Sequence, residues 1–547
     1  MIGDLRYAIR SLTKARGFAL IAILTLAFAL GANTAIFSVV SAILLQPLPF
    51  AHPEELVTIT GANLRWSGGP SSMPNYEDIK KQSKSFEHMA GYTTVNSFLF
   101  EGSEPEKLQG AMVAADIFPL LGVKPHLGRT FTAKEDQFGQ PYAVVLSYEL
   151  WQRRFGGDPN IIGRQIRMGA DPDVVLGVMP RGFRFPIDAQ TIDFYIPLYQ
   201  HEGDPQGGSL QSRGGIWMDV IGRLRDGVTL EQANAELKTI SNRLDAQYPE
   251  TNKALVFSGQ PTHDLLVKNV RPALLVLMAA VGVVLLIGCA NVANLLLARA
   301  AVRHREISIR SAIGATRARI IFQLLVESVL LAVIAGTIGL LLATWGVALL
   351  VALAPPQIPR LDAISVDRTV LLFTFVLSVL TGIVFGLAPA LSASKTNLVE
   401  ALKEGSRGST EGRRRNRLRN TLVVAEIALS VILLVGAGLL LRSFLRLSGV
   451  DPGFDYRNAI SIDLAIRNSK FPKAEDLAQF HRRALEELSR VPGVTSVGGA
   501  NYLPLSGGLE MYTYEIVGRP PFPQGQEPNA TFNRVLPGYF KTMGIPI

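Results

Sequence analysis

The chain has 547 residues, of which 48% are hydrophobic and 18% charged, and its formal net charge is +9. Soluble domains carry about 25% charged residues, so this composition excludes a disordered chain and points to a membrane protein. A single cysteine, Cys289, excludes a fold held by internal disulfides.

Residues 1–17 carry Arg6, Arg10, Lys14 and Arg16 and read as a basic cytoplasmic segment ahead of a first transmembrane helix at 18–45. The apolar run continues to Leu45, past the roughly 7–15-residue core of a secretory signal, so an uncleaved anchor is expected. Residues 46–271 alternate short β-like runs with turns and a few helices, the pattern of a folded α+β domain. Strands are predicted at 142–146, 174–178 and 217–221, and helices at 75–89 and 229–248. Thr229 followed by Gln232 supplies a capping-box start for the second helix. Three further spans are predicted near 272–298, 320–353 and 370–391, within a unit of 272–393. Each exceeds the roughly 20 helical residues that cross about 30 Å of hydrocarbon. A basic linker at 394–420, a fifth span at 421–442 and a last segment at 443–547 complete the chain. That segment has a predicted amphipathic helix at 476–490 and a strand-like run at 494–497.

Lysine and arginine in short connections set the orientation of a multi-pass protein. The connection 299–319 carries Arg299, Arg303, Arg305, Arg310, Arg317 and Arg319, and the linker carries the run Arg413-Arg414-Arg415-Asn416-Arg417. The connection 354–368 has only Arg360 and Arg368, offset by Asp362 and Asp367. The basic segments and the N-terminus therefore face the cytoplasm, and 46–271 and the segment after the fifth span lie outside. The net charge follows from topology, so no nucleic-acid partner is expected; the arginine run is read as an anchor on anionic headgroups of the bilayer.

Val113, Phe118, Gly122 and Val123 recur at one constant offset as Val535, Phe540, Gly544 and Ile545, in each case after a span. A duplication is expected, with the second exterior domain started but incomplete at Ile547.

Three places resemble the permease subunits of MacB/FtsX-type ABC transporters, in particular the duplicated permeases of acidobacterial type. They are Asp4-Leu-Arg-Tyr-Ala-Ile-Arg-Ser-Leu with Leu30-Gly-Ala-Asn-Thr-Ala-Ile-Phe-Ser38, then Arg305-Glu-Ile-Ser-Ile-Arg-Ser-Ala-Ile-Gly-Ala315, and last Leu422-Val-Val-Ala-Glu-Ile-Ala-Leu-Ser430 with Gly436-Ala-Gly-Leu-Leu-Leu-Arg-Ser443. The resemblance implies a polytopic α-helical protein of about five transmembrane helices in a cell inner membrane, with a MacB-like core domain at 46–271, an FtsX-like unit at 272–393 and the start of a second core domain. It also implies a partner ABC-type ATPase that holds ATP-Mg, leaves room for a periplasmic adaptor protein, and allows a dimer or pseudo-dimer. Its segment 299–319 transmits motion between that ATPase and the spans, which makes Glu306, Arg310, Gly314 and Ala315 the expected coupling residues.

The residues themselves are compatible with that role. As a helix, 306–319 would place Ile309, Ala312, Ile313 and Thr316 on one stripe, with Glu306 and Arg310 paired one turn apart. The competing expectation is a solvated amphipathic linker whose arginines merely set topology. Asn33, Asn291, Asn294, Glu327 and Glu426 are polar groups inside spans; they are expected to be structural, the two glutamates reaching the interface or pairing with a basic residue. Gly382 and Gly386 offer a small-residue face for close helix packing. No Gly-Lys dipeptide occurs, hence no phosphate-cradling loop, and ATP hydrolysis and cofactor binding are not expected of this chain. The seven histidines show no paired ligand spacing and no metal site is expected. The function expected is a permease that couples a partner's ATP hydrolysis to movement of the exterior domain and export or extraction of a substrate. Its rivals are an FtsX-like signalling protein acting on a cell-envelope partner without transport, and a membrane-anchored enzyme.

Overall fold

A computed structural model describes residues 2–63, 66–101, 105–137, 140–168, 172–187, 191–201, 213–302, 309, 313, 315–354, 360–393, 410–464, 471, 473–506, 510–520, 522 and 528–547. The chain forms two compact units. One holds Met1–Gln46 and Val267–Gly449, the other Pro47–Leu266 and Val450–Ile547.

In the first unit, five helices among the described residues are long and apolar enough to cross a membrane: Arg16–Leu45, Arg271–Arg299, Arg317–Leu353, Arg368–Leu391 and Arg419–Ser448. They correspond to the first to fifth expected spans and carry those names below. The third packs against both the first and the fourth. Where the first and third meet, a Cβ on Gly31 would lie 2.9 Å from the Gly339 carbonyl oxygen, and one on Gly339 would lie 2.8 Å from the Ala27 carbonyl oxygen. Backbones this close gain dispersion contacts that larger residues would prevent, the main attraction available where lipid is as apolar as leucine. The fourth span brings Gly382 and Gly386 to the third, where added Cβ atoms would meet Val329 at 2.7 Å and Ser328 at 2.6 Å. Phe37 and Phe373 stack with centroids 3.7 Å apart. At the end of the first span the Gln46 side-chain amide donates to Asp367 at 3.0 Å, and the Gln46 carbonyl accepts from Arg360 at 2.7 Å. The fifth helix runs over Thr410–Ser448, well beyond the expected 421–442, because its arginine-rich start favours helix and no proline interrupts it.

In the second unit, strands β1 (Leu56–Asn63), β2 (Trp66–Gly69), β3 (Phe86–Leu99), β4 (Glu106–Val113), β5 (Leu127–Gly128), β6 (Ala143–Leu146), β7 (Gln165–Arg167), β8 (Pro172–Val178), β9 (Phe194–Pro197), β10 (Asp219–Leu224) and β11 (Val256–Pro261) form one mixed sheet. Its order is β11-β1-β10-β3-β4-β9-β6-β8-β5, with β2 on β1 and β7 on β8. The larger core gathers Leu56, Ile59, Tyr76, Phe118, Tyr195 and Ile221; a second core around Val144, Leu150, Trp151 and Ile166 lies under β6 and β8. The helix Leu230–Gln247 starts at the expected capping box: Gln232 N donates to Thr229 Oγ1 at 3.3 Å, and Thr229 N donates to the Gln232 side-chain oxygen at 2.9 Å. Its Ala233, Leu237, Ile240 and Leu244 are buried, as period-3.6 spacing requires.

Two expectations fail here. The helix expected at 75–89 spans Met73–Gln82 and stops because the next turn has a better partner. Ser83 Oγ, Lys84 N and Ser85 N all donate to the Glu236 carboxylate, at 2.7, 2.8 and 2.9 Å, and the chain then enters β3. The strand-like 494–497 forms no strand; the pairing nearby is a single bridge between Ala500 and Val535.

The repeated motif adopts the same turn in both places. Gly122 and Gly544 have φ of +67° and +63°, the left-handed close of a short helix. Val123 N donates to Phe118 O at 3.1 Å, and Ile545 N donates to Phe540 O at 2.8 Å. Ala51 N donates to Leu121 O at 3.2 Å, and Asp455 N donates to Met543 O at 2.7 Å. Tyr92 pairs with Val113 as Ala500 pairs with Val535. Each turn follows an antiparallel pair, β3 with β4 before Gly122, and β12 (Glu510–Thr513) with β13 (Asn529–Phe532) before Gly544.

Candidate functional site

The N-terminal helix Ile2–Lys14 begins with Asp4 in its first turn and ends on Lys14, charges that suit the two ends of the helix dipole. Asp4, Ala8, Ser11 and Leu12 are buried, while Leu5, Arg6, Ile9 and Arg10 are exposed. The buried positions recur at helical spacing, so one narrow stripe with a carboxylate and a hydroxyl among its apolar members faces the spans. Leu12 packs with Ala19 of the first span and Leu331 of the third.

Ser11 opposes Arg299, in the last turn of the second span's helix, and Glu327 of the third span. Glu327 is 4% exposed. Its Oε1 accepts from Ser11 Oγ at 2.7 Å and lies 2.8 Å from Arg299 Nη1. Arg299 Nη2 in turn donates to the Ser11 carbonyl at 2.8 Å and to Ser11 Oγ at 2.9 Å. The guanidinium sits 4.5 Å from the centre of the Phe18 ring. A buried ion pair repays its desolvation only when additional hydrogen bonds complete it, and here one arginine meets a hydroxyl, a carbonyl, a carboxylate and an aromatic face. One guanidinium thereby joins the N-terminal helix and the first three spans. Two turns earlier on the same buried stripe of the N-terminal helix, Asp4 pairs with Arg319 in the first turn of the third span.

Arg299 precedes the connection 303–314 and Arg319 follows it, so both ends of that connection are fixed to the same short helix. Glu306, Arg310 and Gly314 lie outside the described residues. Ala315 is half-buried beside Ile320. Ile309 and Ile313 are 54% and 82% exposed, an apolar pair turned to solvent. The single helix expected through 306–319 is broken at Thr316, whose backbone is extended and whose hydroxyl caps the third span by accepting from Arg319 N at 3.4 Å. Threonine offers the chain a cap, and the helical stripe counted across it does not continue.

The remaining polar groups of the spans stand apart from this cluster. Asn33 donates to Ala29 O at 2.9 Å and across to Val281 O at 2.8 Å. Asn291 is half-buried, and the Asn294 side-chain oxygen is buried with no hydrogen-bond partner among the described residues. Glu426 is half-buried on the fifth span and Cys289 is fully buried. The pairing of Asp4 and Ser11 with the basic ends is absent from the sequence expectations. Its signal is a carboxylate and a hydroxyl seven positions apart, two turns along a stripe that otherwise buries Ala8 and Leu12.

Similarity to known proteins follows this layout. The model of the MacB-like periplasmic core domain matches residues 19–240, and that of the FtsX-like permease C-terminal domain matches residues 278–398. The macrolide export ATP-binding/permease protein MacB of Salmonella typhi is 28% identical over 295 residues, which are 53% of this chain and 42% of that protein. MacB of Agrobacterium fabrum is 28% identical over 291 residues, again 53% of this chain and 42% of the relative. The crystal structure of the periplasmic region of MacB from Actinobacillus actinomycetemcomitans covers 40% of this chain and 92% of its own, at 16% identity and a TM-score of 0.30. The chain thus spans about two fifths of the length of these curated relatives.

A span, a large α+β domain and a set of further spans, matched in that order, define an ABC transporter permease. More particularly, the chain belongs to the MacB/FtsX type of that class.

Proposed function

We propose that this chain couples ATP binding and hydrolysis in a partner ABC-type ATPase to movement of its folded domain, and through that movement to export or extraction of a substrate at the outer face. The observation that carries the reading is the anchoring of 303–314: Arg299 at one end and Arg319 at the other are tied by ion pairs to buried carboxylates. A segment held in this way passes a push on to helices instead of absorbing it. The close Gly31–Gly339 and Gly382–Val329 approaches fill the space between spans with backbone, which favours mechanical transmission over a polar path through the bundle. The arginine bias supports a cytoplasmic N-terminus and connection. The absence of a Gly-Lys dipeptide agrees with an ATPase site on another subunit. The matching turns at Gly122 and Gly544 support reading 443–547 as part of a second MacB-like domain.

The test is ATPase activity of the full chain reconstituted with its co-purifying ABC-type ATPase. Glu306→Ala and Gly314→Leu are expected to lower stimulated turnover by about 5-fold or more, the ordinary size of allosteric coupling, without loss of the folded domain. Unchanged stimulation in both variants contradicts coupling through this segment.

A further inference from the structure

We infer that the N-terminal helix Ile2–Lys14 is the transmission element itself: Asp4 and Ser11 are positioning residues that clasp both ends of the connection 303–314 and carry its displacement into the first span. This rests on the coupling reading above.

The two points of the clasp lie on one buried stripe. Asp4 holds Arg319 after the connection, and Ser11 holds the Arg299–Glu327 pair before it. A movement that separates or rotates the two ends must break one ion pair or drag the helix along. Glu327 and the Arg299 side chain are nearly buried, at 5% and 11% side-chain exposure, so breaking that pair would strand a charge in a dry site and dragging is the cheaper response. The helix has little freedom of its own. Only Ala15 separates it from the first span, and the hydrogen bond from Ala19 N to Ala15 O, 3.0 Å, starts the span's ladder at that residue. The first span lies backbone to backbone on the third at Gly31 and Gly339, which leaves no room there for the two to slide apart without losing that packing. At the opposite end of the first span, Gln46 holds Asp367 and Arg360, and the chain then enters the second unit at Pro47. A continuous route of bonded and backbone-packed groups therefore runs from the connection to the start of the folded domain through the first span.

Asp4 and Arg319 allow the sharper experiment, because the Arg319 side chain is 57% exposed and tolerates charge reversal better than the buried pair. The full chain and its co-purifying ABC-type ATPase would be reconstituted as wild type, Asp4→Arg, Arg319→Asp and the double reversal. Recruitment of the ATPase, thermal unfolding and ATP turnover would be read on each. Each single reversal is expected to lower stimulated turnover by about 5-fold or more while recruitment stays at the wild-type level, and the double reversal to regain most of it. A purely structural pair would shift unfolding and turnover together. The conservative Asp4→Asn, run in parallel, is expected to fall in the same direction with its unfolding temperature retained, which covers a misfolded reversal. Wild-type turnover in Asp4→Asn and both reversals, in a system where Glu306→Ala or Gly314→Leu uncouples, overturns the clasp alone. A double reversal no better than the singles also overturns it. A wild-type chain that recruits no ATPase overturns the coupling reading and the clasp together.

Discussion

Arg223 on β10 is 5% exposed, and its guanidinium donates to three backbone carbonyls: Leu120 at 2.9 Å, Ala51 at 2.6 Å and His52 at 3.3 Å. It also meets Glu55 at 3.2 Å. These carbonyls belong to the chain entering the folded domain and to the short helix before Gly122, so one side chain closes the junction between them. Arg223→Met should leave them unsatisfied and cost about 3–5 kcal/mol. For a domain of this size that lowers the unfolding temperature by about 10 °C, read by thermal unfolding of the full chain in detergent. Glu135 supplies a pH-dependent counterpart. Hydrogen bonding from Arg129, aided by Thr132, holds its carboxyl at about 2, below the ordinary 4.5. Since the folded value is depressed, this stabilisation is present above about pH 4.5 and is lost as the pH falls towards 2. Glu135→Gln should therefore lower stability at neutral pH and flatten the profile across that window, so that the two proteins converge towards pH 2, as acid titration followed by tryptophan fluorescence would reveal. None of these side chains was legible in the sequence. Arg223 and Glu135 look like solvated charges until the fold brings in their distant partners. Thr229 and Gln232, by contrast, were readable because a capping box is closed by residues three apart.

Elements were legible in proportion to how local their causes are. The five long apolar helices follow from length and hydrophobicity, and their ends moved by only a few residues wherever a cap such as Thr316 set them. The helix expected at 75–89 ends early because Glu236, more than a hundred positions away, takes the donors of Ser83–Ser85. Of the groups proposed to couple, the basic connection was visible and Glu327 was read as a structural polar group pairing with a basic residue, but the N-terminal helix read only as a topology signal. Its clasp depends on which face it buries, and tertiary contact decides that. The Gly31–Gly339 approach offers a test at this scale. Gly31→Leu places a side chain where 2.9 Å separates a Cβ from a carbonyl oxygen, and overpacking of this kind costs about 1–3 kcal/mol. The expected outcome is a lower unfolding temperature and weakened ATPase stimulation; Gly436→Leu on the fifth span, where nothing lies within 4 Å of an added Cβ, should change neither.

For the whole molecule, the account joins a folded domain to an ATPase through helices, which requires the domain and the connection 303–314 to lie on opposite sides of the bilayer. The order of span, domain, three spans and a further span was readable from hydropathy, as was the repeat that places Gly544 where Gly122 stands. The mixed strand order of the sheet was not, because pairings such as β4 with β9 and β6 with β8 join segments separated by long connections. The most direct measurement labels single cysteines with a membrane-impermeant maleimide, using full-length Cys289→Ala carrying either Glu250→Cys in the folded domain or Ile313→Cys in the connection, both at exposed positions. The account predicts that Glu250→Cys reacts in spheroplasts and Ile313→Cys reacts only in inverted vesicles. Labelling of Ile313→Cys in sealed spheroplasts, or of both cysteines from the same side, would contradict it.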